Sequence, residues 1–574
     1  FVIGCDDGSV LREIVTRTKL RVIAIDEDQS RVKRLRTALL DERLYGARVS
    51  VRHSASLKEL KIVGEIADAV VTERPQSSLL DPDECLRLLQ PGRGKALLQL
   101  SQVPARWRRL PATGVQQITE QLICIPRPAD TGAGDWSHLY GPPNNSSFAG
   151  ETLSGAKKSS ELQVQWIGRP GPRYQSDRSG RKPSPVAVNG RLYLQGDERI
   201  IAQNARNGTI LWSLEIPGFQ RYNMPRDCSN WCADEDTVFA AVRDRLWCLR
   251  GEDGQVERQL TLPESVARSA SHDWGFIANV GERLIGSAVK HGSSWTDYWG
   301  GAAAGWYDAT KGEVTAKVCS DTLFVMDKTS GKTLWEYRRG PIVNPTITLS
   351  GQSIWFLECQ HPEAAEVSPA RLLGETLWKD VALVCLDLKS GEKRWEKRLD
   401  WRSGSVMVTM AESAGRLVAV CSNGGQYHVY CVDAGTGEPV WQATSRWLSD
   451  NHGGHMSRPA IVNGIVYVRP DVFSLETGER LPQKMSGFRG CGTYACTTQA
   501  LFFRNKSVTM WNREDGSSTT WARLRPDCWL STIPAAGLLL SPEGGGGCSC
   551  GNWMETSIGF APLRSLREPG GDSP

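Results

Sequence analysis

No run of about 18 apolar residues occurs in the chain, so no segment is long and apolar enough to span a membrane. Excess charge of one sign is missing as well. The 68 Lys and Arg against 64 Asp and Glu leave a net charge of +4 over 574 residues, without the basic stripe that nucleic acid or anionic lipid requires. Both partners are therefore excluded at this stage. The start of a chain is also lacking, because Phe1 opens in the middle of a strand-like run; the natural N-terminus, with any signal peptide on it, is expected to precede it. At this length one ordinary core is too small, and two domains, or a repeat domain with an attachment, are expected. What is abundant is Trp, Gly and Pro, at 21, 57 and 30 residues. Most lie after residue 130, which favours short strands and tight turns there. The 16 cysteines cluster in "CSNWC", "CGTYAC" and "CSC", a pattern suited to disulfides or metal. A periplasmic or otherwise exported protein is expected, with the cytoplasm as the alternative, and a monomer.

The first 127 residues alternate strands and helices. "FVIGCDDGSVLREIV" runs strand, Gly-containing turn, helix, and "LRVIAIDEDQSRVKRLRTALL" runs strand, acids, helix. "ARVSVRHS", "ADAVVTE" and "LLQPGRGKALLQL" add three strands. This predicts an α/β doubly wound sheet, which binds ligands at the carboxyl ends of its first strands. On these residues the half resembles class I S-adenosylmethionine-dependent methyltransferases. Gly4 and Gly8 match the first-turn glycines and Asp26 the acid closing the second strand, so the resemblance implies these three as the cofactor-binding residues. Four departures stand against activity: Val2 replaces a carboxylate, Asp6 replaces a glycine, Ser54 replaces an adenine-side Asp, and "TERPQSS" carries no aromatic-proline pair. A retained fold serving as scaffold is the favoured reading, and an active methyltransferase the alternative.

Downstream, one unit repeats: "NARNGTILW", "DKTSGKTLW", "DLKSGEKRW" and "DAGTGEPVW", with degenerate copies between them. Its glycines fall at 208, 254, 331, 391, 437, 478 and 516. The smallest spacings, near 40 residues, are the length of a four-stranded propeller blade. In each unit the Asp or Asn and the Gly build the turn before the last strand, and the Trp four residues on wedges between blades. Seven markers leave strands over at both ends. "CWLSTIPAAGLLLSPEGGGGCSCGNWMETSIGFAPL" supplies three and "ELQVQWIGRP" the fourth, so the ring is predicted to close as an all-β eight-bladed propeller over 161–566. Residues 128–160 are expected as a linker and 567–574 as a disordered tail.

These repeats resemble the pyrroloquinoline-quinone-like (quinoprotein alcohol dehydrogenase-like) propeller superfamily over about 430 residues, and "GDWSHLYGPPNNSSFAGE" is similar to the start of its dehydrogenase domains. The whole arrangement also resembles bacterial propeller proteins that carry export signals. The superfamily includes quinone dehydrogenases and a non-catalytic scaffold lipoprotein of outer-membrane assembly. For a dehydrogenase the resemblance implies two adjacent cysteines against the quinone, a Ca²⁺ held by Glu and Asn, and a catalytic Asp. This chain has no adjacent cysteines, and Asp450 with Glu543 mimics the acids only loosely. The quinone is therefore not called for, and no haem-attachment "CxxCH" occurs.

The loops leading into the innermost strands, together with the second-to-third-strand loop of the last blade, gather the unusual residues at one funnel: His272, Asp273, Asn344, Asp450 and Glu543 as ligand contacts. His452 and His455 in "HGGH", with Cys491, offer ligands to a metal. Cys228 with Cys232, Cys491 with Cys496, and Cys528 with Cys548 or Cys550 are disulfide candidates, their connectivity left open. Trp295, Tyr298, Trp299, Trp306 and Tyr307 read as a satellite hydrophobic cluster, or as a carbohydrate or peptide platform. The expectation is a propeller-based binding or scaffold protein that takes a protein or extracellular ligand at this funnel. The alternatives are the active methyltransferase, its propeller recruiting substrate, and a quinone- or metal-dependent oxidoreductase. No catalytic residue is assigned.

Overall fold

The computed structural model describes residues 1–99, 107, 115–169, 183–196, 198–219, 221, 227–268, 271–295, 317–366, 371–372, 374–400, 407–447, 457–485, 492–524, 529–543 and 556–563. The chain divides into two compact units, Phe1–Thr131 and Gly132–Pro574. Among the described residues no helix is long and apolar enough to cross a membrane.

The first unit is a mixed seven-stranded sheet with three helices. Its strands are β1 (Val2–Ile3), β2 (Val22–Asp26), β3 (Val49–His53), β4 (Ala69–Val71), β5 (Lys95–Gln99), β6 (Gln116–Gln117) and β7 (Leu122–Pro126), in the order β3-β2-β1-β4-β5-β7-β6. The first five pair in parallel and β7 runs antiparallel to β5. Helices α1 (Ser9–Arg17), α2 (Gln29–Asp41) and α3 (Pro82–Leu88) connect the parallel strands. Each helix buries only a stripe: Leu11 and Val15 of α1 and Val32, Leu35 and Leu39 of α2 pack with Val22, Ala24, Val49 and Val51 of the sheet. Helix content is small because only three of the four crossovers among the five parallel strands are α-helical, the β3–β4 connection carrying a single 3-10 turn at Lys58–Leu60.

The second unit contains eight sheets that form the blades of a propeller. Seven are consecutive antiparallel sheets, and their innermost strands begin at Val186, Trp231, His272, Ile342, Met407, Ala460 and Ala495. The eighth joins Ile533–Ala535, Leu538–Ser541 and Ile558–Pro562 to Leu162–Ile167, so strands from both ends of the unit share one sheet. That pairing removes two open edges, as the sequence predicts. Residues 132–160 differ from expectation: they belong to this unit and are no linker. The segment 567–574 lies outside the described residues.

The repeat is a docking device as well as a turn. Asp433 Oδ1 accepts the N–H groups of Gly435 and Thr436, both at 3.0 Å, and Gly437 takes φ 75°. A Cβ on Gly437 would lie 2.7 Å from the Trp395 ring of the preceding blade. The same contact recurs where Trp212, Trp335, Trp441 and Trp166 meet Gly254, Gly391, Gly478 and Gly208. Four of these indoles, Trp166, Trp212, Trp335 and Trp441, donate Nε1–H to the carbonyl oxygens of Ala205, Gly251, Leu388 and Leu475 in the next blade, at 2.7, 2.9, 3.1 and 2.8 Å. The repeat glycine is thus required twice, by its dihedral and by its neighbour's indole.

Candidate functional site

Residues 134–151 pass from blade to blade around the inside of the propeller, at the carboxyl ends of the innermost strands. Gly134 O accepts from Ala536 N–H of blade eight (2.8 Å), and Trp136 exchanges both backbone bonds with Ala187 of blade one (2.8 Å each). Ser137 O accepts from Ala233 of blade two (3.0 Å). His138 Nε2 accepts from Asn279 N–H of blade three (3.2 Å). Pro143, Asn144, Ser146 and Ser147 then offer carbonyls to Leu349, Glu412, Ile461 and Cys496 of blades four to seven, at 3.0, 2.9, 2.9 and 2.8 Å. Glu151 closes the circuit, its carboxylate accepting from Gly134 (3.1 Å) and from Gly537 of blade eight (2.8 Å). Each blade's first strand has an inner edge of unpaired backbone groups, and this belt satisfies part of every one.

The opposite ends of the innermost strands carry the funnel residues. Asp227, from the loop leading into blade two, and Asn344, from the 3-10 turn that interrupts the first strand of blade four, meet in the channel: Asn344 Nδ2 donates to Asp227 Oδ1 at 2.9 Å. Arg221 grips the same carboxylate with Nε (2.9 Å) and Nη2 (2.7 Å), both side chains fully buried. Arg221 Nη1 donates to Gly275 O at 2.6 Å. Asn344 Oδ1 accepts from Ser320, whose hydroxyl also bonds Ser287. Cys228 Sγ lies 3.3 Å from Arg221 Nη2, and burial, with the Asp227 charge next, pushes its thiol well up. Between this network and the belt lies a small cavity faced by His138, Tyr140, Asn145, Asp227, Cys228 and Asn344 among others. Arg458 of blade six is also buried and stacks 3.7 Å from the Tyr140 ring centre. It donates to Ser147 Oγ and Asn145 O of the belt.

His138 shows what burial does here. Its Nε2 accepts a backbone N–H, so the neutral ring carries its proton on Nδ1, which faces Ser137 Oγ at 2.8 Å. Desolvation lowers its pKa from 6.5 to about 3. In the unfolded chain the ring regains its ordinary value, so between those pH values the unfolded state binds the extra proton and stability falls with pH. From pH 7 to pH 5 this removes about 2 kcal/mol. Glu151 and Glu358, raised by burial, act with the opposite sign as they protonate. The expected result is therefore a difference: urea unfolding at the two pH values should show His138→Gln losing about 2 kcal/mol less than the parent. Equal losses would remove this assignment.

In the first unit Gly4 and Gly8 take φ 70° and 83° in the β1–α1 turn, and Asp26 closes β2. Asp26 is fully buried; it accepts from Cys5 N–H and Asp28 N–H, both at 2.8 Å, and pairs with Arg31 at 2.8 Å. Glu73, after β4, places its carboxylate on the start of α1, accepting from Asp6 (2.7 Å), Gly8 (3.3 Å) and Val10 (2.6 Å). A Cβ on Gly4 would lie 2.7 Å from Ser77 Cβ. The turn that would receive a cofactor is filled by "TERPQSS" of the same chain, and S-adenosylmethionine does not fit the residues as they stand.

The other predicted residues divide three ways. His272 and Asp273 lie together at the start of blade three, His272 Nε2 at 3.0 Å from Asp321 Oδ2 and Asp273 Oδ1 at 3.0 Å from His291 Nδ1. Glu543 is fully buried in blade eight, its N–H on Ser557 Oγ at 3.0 Å. Cys228, Cys232 and Cys496 are corrected: they are free, buried thiols, each packed into a different apolar cluster rather than bridged. Asp450, His452, His455, Cys491, Cys528, Cys548 and Cys550 lie outside the described residues, as do Tyr298, Trp299, Trp306 and Tyr307. Trp295 is buried and donates Nε1–H to Gly218 O at 2.9 Å. Among the described residues no three His, Cys, Asp or Glu side chains are placed to hold a metal ion. Sequence reasoning missed Arg221, Asp227 and Arg458; Asp227 stands beside the flagged Cys228 and Arg458 close after His455, whereas nothing in the sequence marked Arg221.

Eight sheets, with Trp–Gly docking at five of the junctions between them, define an eight-bladed propeller. A family model described as outer membrane protein assembly factor BamB matches residues 232–469 and 379–519, together half of the chain. The chain belongs to that family. Similar solved structures include a europium-containing methanol dehydrogenase (11% identity, 68% of this chain and 85% of that one, TM-score 0.44). The quinohemoprotein alcohol dehydrogenase from Comamonas testosteroni is 12% identical over 74% of this chain and 80% of its own, with TM-score 0.47. BamB from Moraxella catarrhalis is 12% identical over 62% and 82%, with TM-score 0.33. No curated protein matches the chain significantly.

Proposed function

We propose that this is a propeller-based binding and scaffold protein whose first unit is a methyltransferase-like sheet retained without catalysis. The observation that carries the reading is that the charged groups described at the methyltransferase-type turn and in the propeller channel are already engaged by the chain's own atoms. In the first unit Glu73 stands on the α1 N-terminus and Arg31 on Asp26. In the channel, an Asp and an Asn of the kind a quinone-bound Ca²⁺ would need do meet, but Arg221 supplies the cation. With no adjacent cysteines to face a quinone, the residues present do not fit that cofactor either. The parallel core of the first sheet, its reversed β7, and Gly4, Gly8 and Asp26 at the ligand end support the methyltransferase-like reading of its fold.

A ligand would be taken at the funnel end, because the belt lies across the other. Protein partners suit such a surface, and an exported location agrees with the family's described member, an outer membrane assembly factor. Thermal unfolding of the whole chain tests the proposal. Neither millimolar S-adenosylmethionine nor pyrroloquinoline quinone with Ca²⁺ should raise the midpoint, since a ligand that binds only the folded state must stabilise it. A clear rise with the first would establish a working cofactor site; a rise with the second, joined by dye-linked alcohol oxidation, would make the propeller an oxidoreductase.

A further inference from the structure

Off the propeller axis, between blades two and three, lies a broad solvent-open recess apart from the channel network. Its walls are the turn Val242–Arg245 of blade two, the helical turn Glu264–Ala267, and the start of blade three with His291. Leu262 and Val266 are buried and give it an apolar floor; Arg243, Arg245, His272 and His291, with Asp244 and Asp273 beside them, make its rim. We propose that this recess binds a small organic oxyanion, a carboxylate or phosphate monoester with an apolar body, through Arg243.

Three observations point to Arg243. Its guanidinium stacks 5.2 Å from the centre of the Trp295 ring, which Arg221 approaches at 5.1 Å. Arg221 is neutralised by Asp227, whereas no carboxylate among the described residues pairs with Arg243. A guanidinium held on an aromatic face keeps its N–H edge for two parallel bonds to an oxyanion, at little further loss of freedom. Second, Arg243 sits at φ 55°, a left-handed conformation that a long side chain adopts at a cost and that Asn or Gly would adopt readily. Its carbonyl is fixed by Trp274 N–H of blade three at 2.8 Å. Third, the two acids that line the recess are paired with other rim residues: Asp244 approaches Arg245 at 3.5 Å and Asp273 lies 3.0 Å from His291, while Asp321 faces His272 and Lys290. The inference is independent of the scaffold reading, which can fail by cofactor binding without touching this recess.

Calorimetry on the whole chain with two probes sharing one apolar body, phenyl phosphate and phenylacetate, tests it. Saturable binding of either is expected, and which one binds identifies the oxyanion. Arg243→Asn should weaken that binding at least about tenfold, the scale of one lost charge-assisted pair, while leaving the thermal midpoint unchanged or higher. Should that variant unfold early, Arg245→Gln and His291→Gln carry the same comparison. Absence of binding by both probes at millimolar concentration overturns the proposal, as does binding that these substitutions leave intact.

Discussion

Asp227→Ala is expected to lower the stability of the propeller unit by about 3–5 kcal/mol, the cost of leaving one buried charge without its partner. The residue holds Arg221 through two bonds and accepts from Asn344, so its loss strands a guanidinium and an amide in a closed channel. The neighbouring carbonyl of Gly275 can take one guanidinium N–H but supplies no counter-charge. Arg221→Met with Asp227→Leu should recover most of the loss, because a pair replaced by apolar groups of similar volume is often neutral. Urea unfolding followed by tryptophan fluorescence reads both variants. A single substitution costing under about 1 kcal/mol would place the Arg221 charge in solvent and reopen the channel to an added cation.

The blades were legible because their signals are local. The Asp or Asn, the Gly and the Trp of each repeat lie within nine residues of one another in sequence, and hairpin turns and strand alternation follow from neighbouring residues alone. The second reason for the glycine was not legible, since the indole it receives comes from the preceding blade: Gly437 meets Trp395, some 40 residues upstream. The belt failed for the same cause in stronger form. "GDWSHLYGPPNNSSFAGE" reads as a linker, with no strand period and many turn residues. Its partners are backbone groups of eight sheets spread over Ala187 to Gly537. No pattern in a single segment reports bonds of that reach.

The site divides similarly. Asn344 was legible from its place near the start of a blade, and the structure brings it into the channel network, whereas His272 and Asp273 pair with Asp321 and His291 at the start of blade three. The disulfide expectation failed because cysteine spacing says nothing about side-chain direction on a strand. Cys232 lies in the first strand of blade two and packs with Phe239 and Cys248, while Cys228 turns to Arg221. In the first unit the sequence signalled glycines and an acid in the right turn, yet Glu73 and Arg31, which fill that site, lie on other elements. A motif reports which atoms could receive a ligand; only the fold reports which of them the chain keeps for itself.

Glu151 is where the belt's closure can be cut. Besides Gly134 and Gly537, its other oxygen accepts from Thr152 (3.0 Å) and Leu153 (2.9 Å), so one carboxylate satisfies four backbone amides. It is 1% exposed, and burial holds its carboxyl above the ordinary range although each of the four bonds favours the charged form. Glu151→Ala would leave these donors without an acceptor at about 1 kcal/mol or more apiece. A total of about 3–5 kcal/mol is expected in urea unfolding. Glu151→Gln keeps one acceptor oxygen and should fall between the two. The amides of Ile461 and Cys496, which bond belt carbonyls in blades six and seven, should exchange faster in the alanine variant, although neither residue touches Glu151. That remote response separates a belt acting as one closed element from a local cap. Faster exchange confined to Gly134, Thr152, Leu153 and Gly537 would show that each blade holds its own stretch of the segment.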